Sequence, residues 1–311
     1  MPAAITTSDL TKRFSGILAV DRLQFEVHPG EIFGLVGPDG AGKTTTVRML
    51  AGVLTADSGS ATVAGFDIVR NSEAAKAHIS YMPQRFGLYE DLTVEENIRF
   101  YADVFRVRRA DREQRSRQLL DAAGMAPFIT RLAGKLSGGM KQKLGLVCAL
   151  IHRPRVILLD EPTNGVDPVS RRDFWRILYS LLEEGIAILM STAYLDEAER
   201  CHRIALLHQG RMLFCETPAK LKRHLKGAIL SVIASQPRRV RAALAGTDGV
   251  LNALLVGDGV HLVVDDAARR IQELKAKLQV EGLSFDRLEE VAPTIEDLFV
   301  AATSRTDEES T

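Results

Sequence analysis

Ile32-Phe33-Gly34-Leu35-Val36-Gly37-Pro38-Asp39-Gly40-Ala41-Gly42-Lys43-Thr44 is an apolar strand running into a glycine-rich loop that fits G-x-x-x-x-G-K-[ST], with a helical stretch following at 45–50. The glycines are needed because backbone N–H groups must curl around phosphate oxygens where a Cβ would obstruct them, and the helix N-terminus adds favourable partial charge. Gly37, Pro38, Asp39, Gly40, Ala41, Gly42, Lys43, Thr44 and Thr45 are therefore the candidate nucleotide cradle. Lys43 is placed to reach the β- and γ-phosphates, and Thr44 to put its hydroxyl on Mg²⁺.

Outward from this loop, strand-like runs at 31–36, 156–160, 187–191 and 204–209 alternate with helical stretches, which predicts an α/β layer with a largely parallel sheet. Between about 92 and 134 the pattern turns helical and charged, as for a helical subdomain inserted into that core. From 228 the order reads strand, helix, strand, strand, helix, strand, then a short helix after Pro293, which suggests a small α+β ferredoxin-like C-terminal domain. The expected division is 1–226, 227–303 and a flexible polar tail at 304–311, with Lys226-Gly227 as the junction.

The 311 residues carry 40 basic and 40 acidic side chains, so net charge is zero and gives no sign of a polyanionic partner; no nucleic acid is expected. Apolar runs are only a few residues long, against the roughly 20 of a spanning helix. The first ten residues do not read as a secretory signal, and a cytoplasmic location is expected. Cys148, Cys201 and Cys215 lack metal or disulfide spacing and read as reduced, mostly buried thiols.

Leu136-Ser137-Gly138-Gly139-Met140-Lys141-Gln142 precedes a helical run, and Val156-Ile157-Leu158-Leu159-Asp160-Glu161 follows. With the phosphate loop, these motifs closely resemble the ATP-binding-cassette (ABC) superfamily over residues 4–225. The resemblance implies a P-loop NTPase fold of ABC type with ATP and Mg²⁺ as cofactors. It implies that Ser137, Gly138 and Gly139 cap the γ-phosphate held by an opposing subunit, and that Phe14 stacks on adenine with Val20 nearby. It further implies Glu161 as general base for water, Asp160 as the carboxylate of the Mg²⁺ shell, Gln84 as the link between Mg²⁺, attacking water and a membrane partner, and Asp167 as an acid of the loop crossing the dimer interface.

Two residues depart from the family pattern. Asp39 stands where many members have Asn. Ala193, in Ser191-Thr192-Ala193-Tyr194-Leu195-Asp196-Glu197-Ala198, stands where the family usually has a switch histidine, and a methyl group neither donates nor accepts a hydrogen bond. The expectation is a degenerate site that binds ATP better than it hydrolyses it. One phosphate loop and one LSGG per chain imply a dimer with a second ABC ATPase subunit, a heterodimer being favoured over a homodimer. The absence of a span implies a separate permease, with the chain peripheral on the cytoplasmic membrane face. Phe86, Leu88 and Tyr89 are the expected docking surface. The C-terminal run Pro293-Thr294-Ile295-Glu296-Asp297-Leu298-Phe299 resembles ATPase subunits of ABC-2 type multidrug exporters. The alternative is a soluble cassette ATPase acting on ribosomes or nucleic acid.

Overall fold

In a computed structural model, which describes residues 2–85, 87–225 and 227–308 with side chains to Thr303, every residue of the strands Ile32–Val36, Val156–Asp160 and Ala187–Thr192 is buried. Burial on both faces is the mark of central strands in a covered parallel sheet. In chain order the first unit comprises β1 (Ile5–Phe14), β2 (Ile17–Val27), β3 (Ile32–Val36), α1 (Lys43–Leu50), β4 (Ser58–Val63), β5 (Phe66–Asp67), α2 (Ser72–Lys76), β6 (Ile79–Met82), α3 (Val94–Val104), α4 (Arg109–Ala122), α5 (Gly138–Leu150), β7 (Val156–Asp160), α6 (Pro168–Leu182), β8 (Ala187–Thr192), α7 (Leu195–Ala198), β9 (Arg203–His208) and β10 (Arg211–Glu216). The six-stranded sheet has the order β10-β9-β3-β8-β7-β6, with β3, β6, β7, β8 and β9 parallel. β9 and β10 are joined through Gln209 and Gly210, whose φ values of 48° and 79° suit a tight hairpin turn.

A second sheet, β2-β1-β4-β5, is antiparallel and lies outside the α/β alternation expected from the sequence. It covers one face of the parallel sheet: Ile5, Leu10, Val20, Leu23, Phe25 and Val27 share a core with alternate residues of the parallel strands, including Phe33, Leu35, Leu158, Leu189 and Leu207. Phe25 stacks on Phe33 with ring centroids 5.1 Å apart. Between β6 and β7 the chain forms α3, α4 and two short 3₁₀ turns over the stretch expected to be helical at about 92–134, and then α5 beyond it. Cys148 and Cys201 are buried and Cys215 partly so; burial pushes the first two thiols well above their ordinary range. Among the described residues no helix is long and apolar enough to cross a membrane.

The chain divides into two compact units, Met1–Cys215 and Glu216–Thr311. The division precedes the junction expected at Lys226-Gly227 because α8 (Pro218–Lys222) packs against the last helix; Lys226 itself lies outside the described residues. The second unit continues with β11 (Ala228–Ile233), α9 (Pro237–Leu244), β12 (Val250–Val256), β13 (Gly259–Val264), α10 (Ala267–Val280), β14 (Arg287–Val291) and α11 (Ile295–Glu308). Its antiparallel sheet, ordered β12-β13-β11-β14, is the ferredoxin-like arrangement. α11 extends through Glu308, into the segment expected to be a tail; 309–311 lie outside the described residues.

The sequence run 293–299 has a structural explanation. Asp297 is fully buried, and its carboxylate accepts from the Thr294 N–H and hydroxyl, each at 2.8 Å, while Thr294 Oγ1 accepts from Asp297 N at 3.2 Å. This reciprocal cap starts α11. His261 Nδ1 of β13, 3.0 Å from Asp297 Oδ1, ties the cap to the sheet. Burial alone raises the Asp297 carboxyl, but the bonds from His261 and Thr294 outweigh it and hold the group below its ordinary value of 3.8. A depressed carboxyl stabilises the fold above its unfolded value and loses that contribution as pH falls through the folded one. Asp297→Asn is therefore expected to lower the stability of the second unit by about 2 kcal/mol at neutral pH. In urea titrations the difference from the unsubstituted chain should begin to shrink below about pH 4, where the unfolded carboxyl protonates, and go on shrinking until the pH passes the lower native value.

Candidate nucleotide site

The phosphate loop leaves β3 at Gly37 and enters α1 at Lys43. Gly40 and Gly42 take φ of 79° and 98°, and a Cβ at Gly42 would lie 2.4 Å from the Ala19 carbonyl oxygen, so glycine is required there on both grounds. A Cβ at Gly37 would meet the Leu207 carbonyl oxygen at 2.3 Å. Around the loop lies a recess of about 440 Å³, lined by Ala19, Asp39 to Thr45, Gln84 and Glu161. The first N–H groups of α1 have no partners within the helix. The glycine backbone, the helix start and the Lys43 ammonium together fit a chain of phosphates.

Lys43 is only 4% exposed. Its ammonium donates to the carbonyls of Gly37 (2.9 Å) and Pro38 (3.0 Å) and pairs with Glu161 Oε1 at 3.1 Å. Thr44 Oγ1 donates to Asp160 Oδ1 at 2.9 Å, and Ser191 Oγ donates to the same oxygen at 2.7 Å. Asp160, the last residue of β7, is 1% exposed; its other oxygen and the Thr44 hydroxyl are a donor set of the oxygen type that a hard divalent cation takes. Glu161 follows at φ 48°, a left-handed conformation that costs a side-chain-bearing residue about 1–2 kcal/mol. Its backbone N–H holds that turn by donating to Ser191 Oγ at 2.9 Å. The turn directs the carboxylate back across the loop, where Oε2 accepts from Gln84 Nε2 (3.3 Å) and Asn164 Nδ2 (3.2 Å).

Of the residues singled out in the sequence, Lys43, Thr44, Gln84, Asp160 and Glu161 meet at one place. Phe14 stands on the surface, 45% exposed, with the Lys12 ammonium 5.5 Å from its ring centroid. Val20 does not accompany it: the side chain is wholly buried in the core and supports Gly42 from below, so Ala19 lines the recess instead. Ser137, Gly138 and Gly139 are absent from the recess lining. They open α5, where Ser137 Oγ accepts from Met140 N at 3.3 Å. A Cβ on Gly139 would fall 2.3 Å from Ser170 Oγ, so this glycine lets the start of α5 pack closely on the start of α6. Asp167 caps α6, accepting from Val169 N and Ser170 N at 3.1 and 2.9 Å; the Ser170 bonds hold its carboxyl below the usual range.

Ala193 lines a smaller recess of about 190 Å³ with Asp39, Glu161, Thr163, Asn164, Thr192 and Tyr194. Behind it lies a residue to which the sequence motifs assign no role. Glu197 is 0% exposed and accepts from Thr163 Oγ1 (2.6 Å), Thr192 Oγ1 (2.7 Å) and Trp175 Nε1 (3.4 Å), with Arg171 Nε at 3.6 Å. It thus joins the segment after β7 to the segment after β8. Nothing local in the sequence separates it from its acidic neighbours Asp196 and Glu199, which are exposed.

The segment expected from the sequence to dock a permease is held from inside. Asn97, fully buried, accepts from Tyr89 N at 2.9 Å and donates to the carbonyls of Tyr89 (3.0 Å) and Thr93 (2.9 Å). Tyr89 remains 48% exposed, edge-on to Phe100 at 4.6 Å. Phe86 lies outside the described residues.

Truncating Glu197 would strand two hydroxyls and an indole N–H and leave the Arg171 guanidinium with Asp196 alone. Glu197→Ala is expected to cost about 3 kcal/mol in chemical denaturation. A loss under 1 kcal/mol would show that the network is not structural.

The ABC transporter family profile matches residues 20–164. The chain is 45% identical over 304 residues to the "Probable multidrug ABC transporter ATP-binding protein YbhF" of Escherichia coli (strain K12), covering 96% of this chain and 52% of that protein, so it spans about half of that relative's length. It is 33% identical to the daunorubicin resistance ATP-binding protein DrrA2 of Streptomyces coeruleorubidus, covering 98% of this chain and 96% of DrrA2. A solved structure of an ATP-binding subunit of an ABC transporter superposes with TM-score 0.65 at 30% identity, over 71% of this chain and 92% of that one. The phosphate loop, the paired carboxylates and these similarities together make the chain a member of the ABC transporter ATP-binding family.

Proposed function

We propose that the chain is the ATP-hydrolysing subunit of an ABC exporter, coupling MgATP binding and hydrolysis to transport through a permease on a separate polypeptide. The observation that carries this reading is the convergence of Lys43, Thr44, Asp160 and Glu161 at the mouth of the phosphate loop. Lys43 is held in place by two carbonyls and exchanges Glu161 for phosphate oxygens when substrate enters. Glu161, then free on Oε1, takes the proton of the attacking water. Thr44, Asp160 and Gln84 would hold Mg²⁺, which supplies charge neutralisation along the phosphates when bound.

Ser137, Gly138 and Gly139 serve the phosphate loop of a second cassette, which agrees with their absence from this chain's own recess. Ala193 leaves the side of the recess beside Glu161 without a polar side chain at that position, so this half-site favours binding over turnover. A non-identical partner carrying histidine there would complete the other half-site, and the heterodimer is the favoured assembly. The exposed Tyr89–Phe100 pair, fixed by Asn97, is the surface offered to the permease at the cytoplasmic face of the membrane. Export of drug-like substrates follows the named relatives and rests on them alone.

Lys43→Ala is expected to weaken MgATP binding at least 100-fold while leaving the melting temperature within a few degrees. Glu161→Gln should retain binding and slow hydrolysis by about 10² or more. Equilibrium nucleotide binding and single-turnover cleavage check both. Unchanged affinity in Lys43→Ala would contradict the site.

A further inference from the structure

Ala193 and Tyr194 are adjacent, and both line the small recess beside Glu161. The methyl group of Ala193 makes no hydrogen bond, but Tyr194 does: its hydroxyl donates to Asn164 Oδ1 at 3.3 Å, and Asn164 Nδ2 donates to Glu161 Oε2 at 3.2 Å. The order of donors is self-consistent. A carboxylate only accepts, so the NH₂ of Asn164 must face Glu161, which leaves Oδ1 facing the tyrosine hydroxyl as an acceptor. The hydroxyl in turn opposes the amide flip that would set an oxygen against the carboxylate.

Tyr194 is itself pinned from two sides. Its N–H donates to Thr192 Oγ1 at 3.0 Å, and Thr192 is anchored on the buried Glu197. The Arg171 guanidinium lies 4.3 Å from the ring centroid and is held by Asp196 and Glu197 at 3.7 and 3.6 Å. A ring gripped in this way presents its hydroxyl from a rigid base, whereas Asn164 stands on an exposed turn with no anchor of its own in its side chain beyond these two bonds.

We propose that Tyr194, acting through Asn164, is a positioning residue for Glu161 in this chain's half-site, fixing the carboxylate oxygen that Lys43 does not hold. The inference rests on Glu161 being the group that activates water. Lys43 engages Oε1, whereas Asn164 and Gln84 engage Oε2. When phosphate draws Lys43 away, Oε1 is released toward the water while Oε2 stays fixed. The line Tyr194–Asn164–Glu161 thus limits the rotation of the carboxylate in a half-site that has alanine at 193.

The test is single-turnover cleavage of radiolabelled MgATP by the full chain, followed for hours so that a slow site is still read, with nucleotide affinity and melting measured on the same samples. Tyr194→Phe removes one hydroxyl and should slow cleavage about five- to tenfold, the loss of one hydrogen bond near a charge, with MgATP affinity unchanged. Asn164→Ala should be at least as slow. The double variant should be no slower than Asn164→Ala alone, because both residues act along one line. A purely structural role for Tyr194 would instead lower affinity or melting with the rate, and additive losses would show that the two residues act separately; either overturns the proposal. Cleavage by Tyr194→Phe at the unsubstituted rate, with Glu161→Gln inactive, overturns the positioning role and leaves Glu161 as the base. Cleavage by Glu161→Gln at the unsubstituted rate overturns the role of Glu161, and the positioning proposal with it.

Discussion

One carboxylate oxygen holds the ends of three parallel strands together. Asp160 Oδ1 accepts from Thr44, carried on the loop and helix that follow β3, and from Ser191, near the end of β8, while Asp160 itself ends β7. Register makes this possible: Asp160 pairs with Ser191 across β7 and β8, and Val36 pairs with Thr192 across β3 and β8. A carboxylate that is 1% exposed needs hydrogen-bond donors to replace its lost hydration, so the fold and the site impose the same requirement. The C-terminal ends of parallel strands are where open α/β sheets place their ligands. Here the register aligns the phosphate loop, the acidic pair and the 192–197 segment within hydrogen-bonding distance.

Around that point a second carboxylate does similar work deeper in the fold. Glu197 joins Thr163, Thr192, Trp175 and Arg171, so the turn after β7, the turn after β8 and helix α6 share one buried acceptor. The left-handed turn at Glu161 is held on one side by Ser191 and lies two residues before Thr163. Strain at the residue that faces Lys43 is thus supported by the network behind it. Displacement of the 161–164 segment would reach α6 and the close Gly139–Ser170 contact, and so the start of α5.

The parallel sheet and the phosphate site were legible because their signals are local. A four-residue apolar run closed by Asp160, and glycines spaced around Lys43, each state their own geometry. The antiparallel sheet was not legible. β1 and β2 pair with several register shifts, which break the period-2 alternation, and β1 has only part of its length buried. The place of Val20 was missed because nearness in sequence to Phe14 says nothing about which face of β2 a residue takes; its side chain points into the core. The contacts of Glu197 with Thr163 and of Asn164 with Tyr194 were not legible for a different reason: each pair is about 30 residues apart, and no local pattern marks such contacts. In the second unit the strand order followed from the element order, whereas the reason for Asp297 required the His261 contact.

The oxygen atoms gathered at Thr44 and Asp160 are the proposed place where a divalent cation meets the phosphates. It follows that ATP should bind more tightly with Mg²⁺ than without, and that this difference should depend on Asp160. The most direct measurement is equilibrium binding of ATP to the full chain, with Mg²⁺ and with a chelator, for the unsubstituted protein and for Asp160→Asn, whose amide keeps the shape and an acceptor oxygen for Thr44 and Ser191 but removes the charge. Binding at least tenfold tighter with Mg²⁺ is expected in the unsubstituted chain, with little or no Mg²⁺ effect in Asp160→Asn and folding preserved by circular dichroism. An equal Mg²⁺ enhancement in both proteins would contradict the proposed cation site.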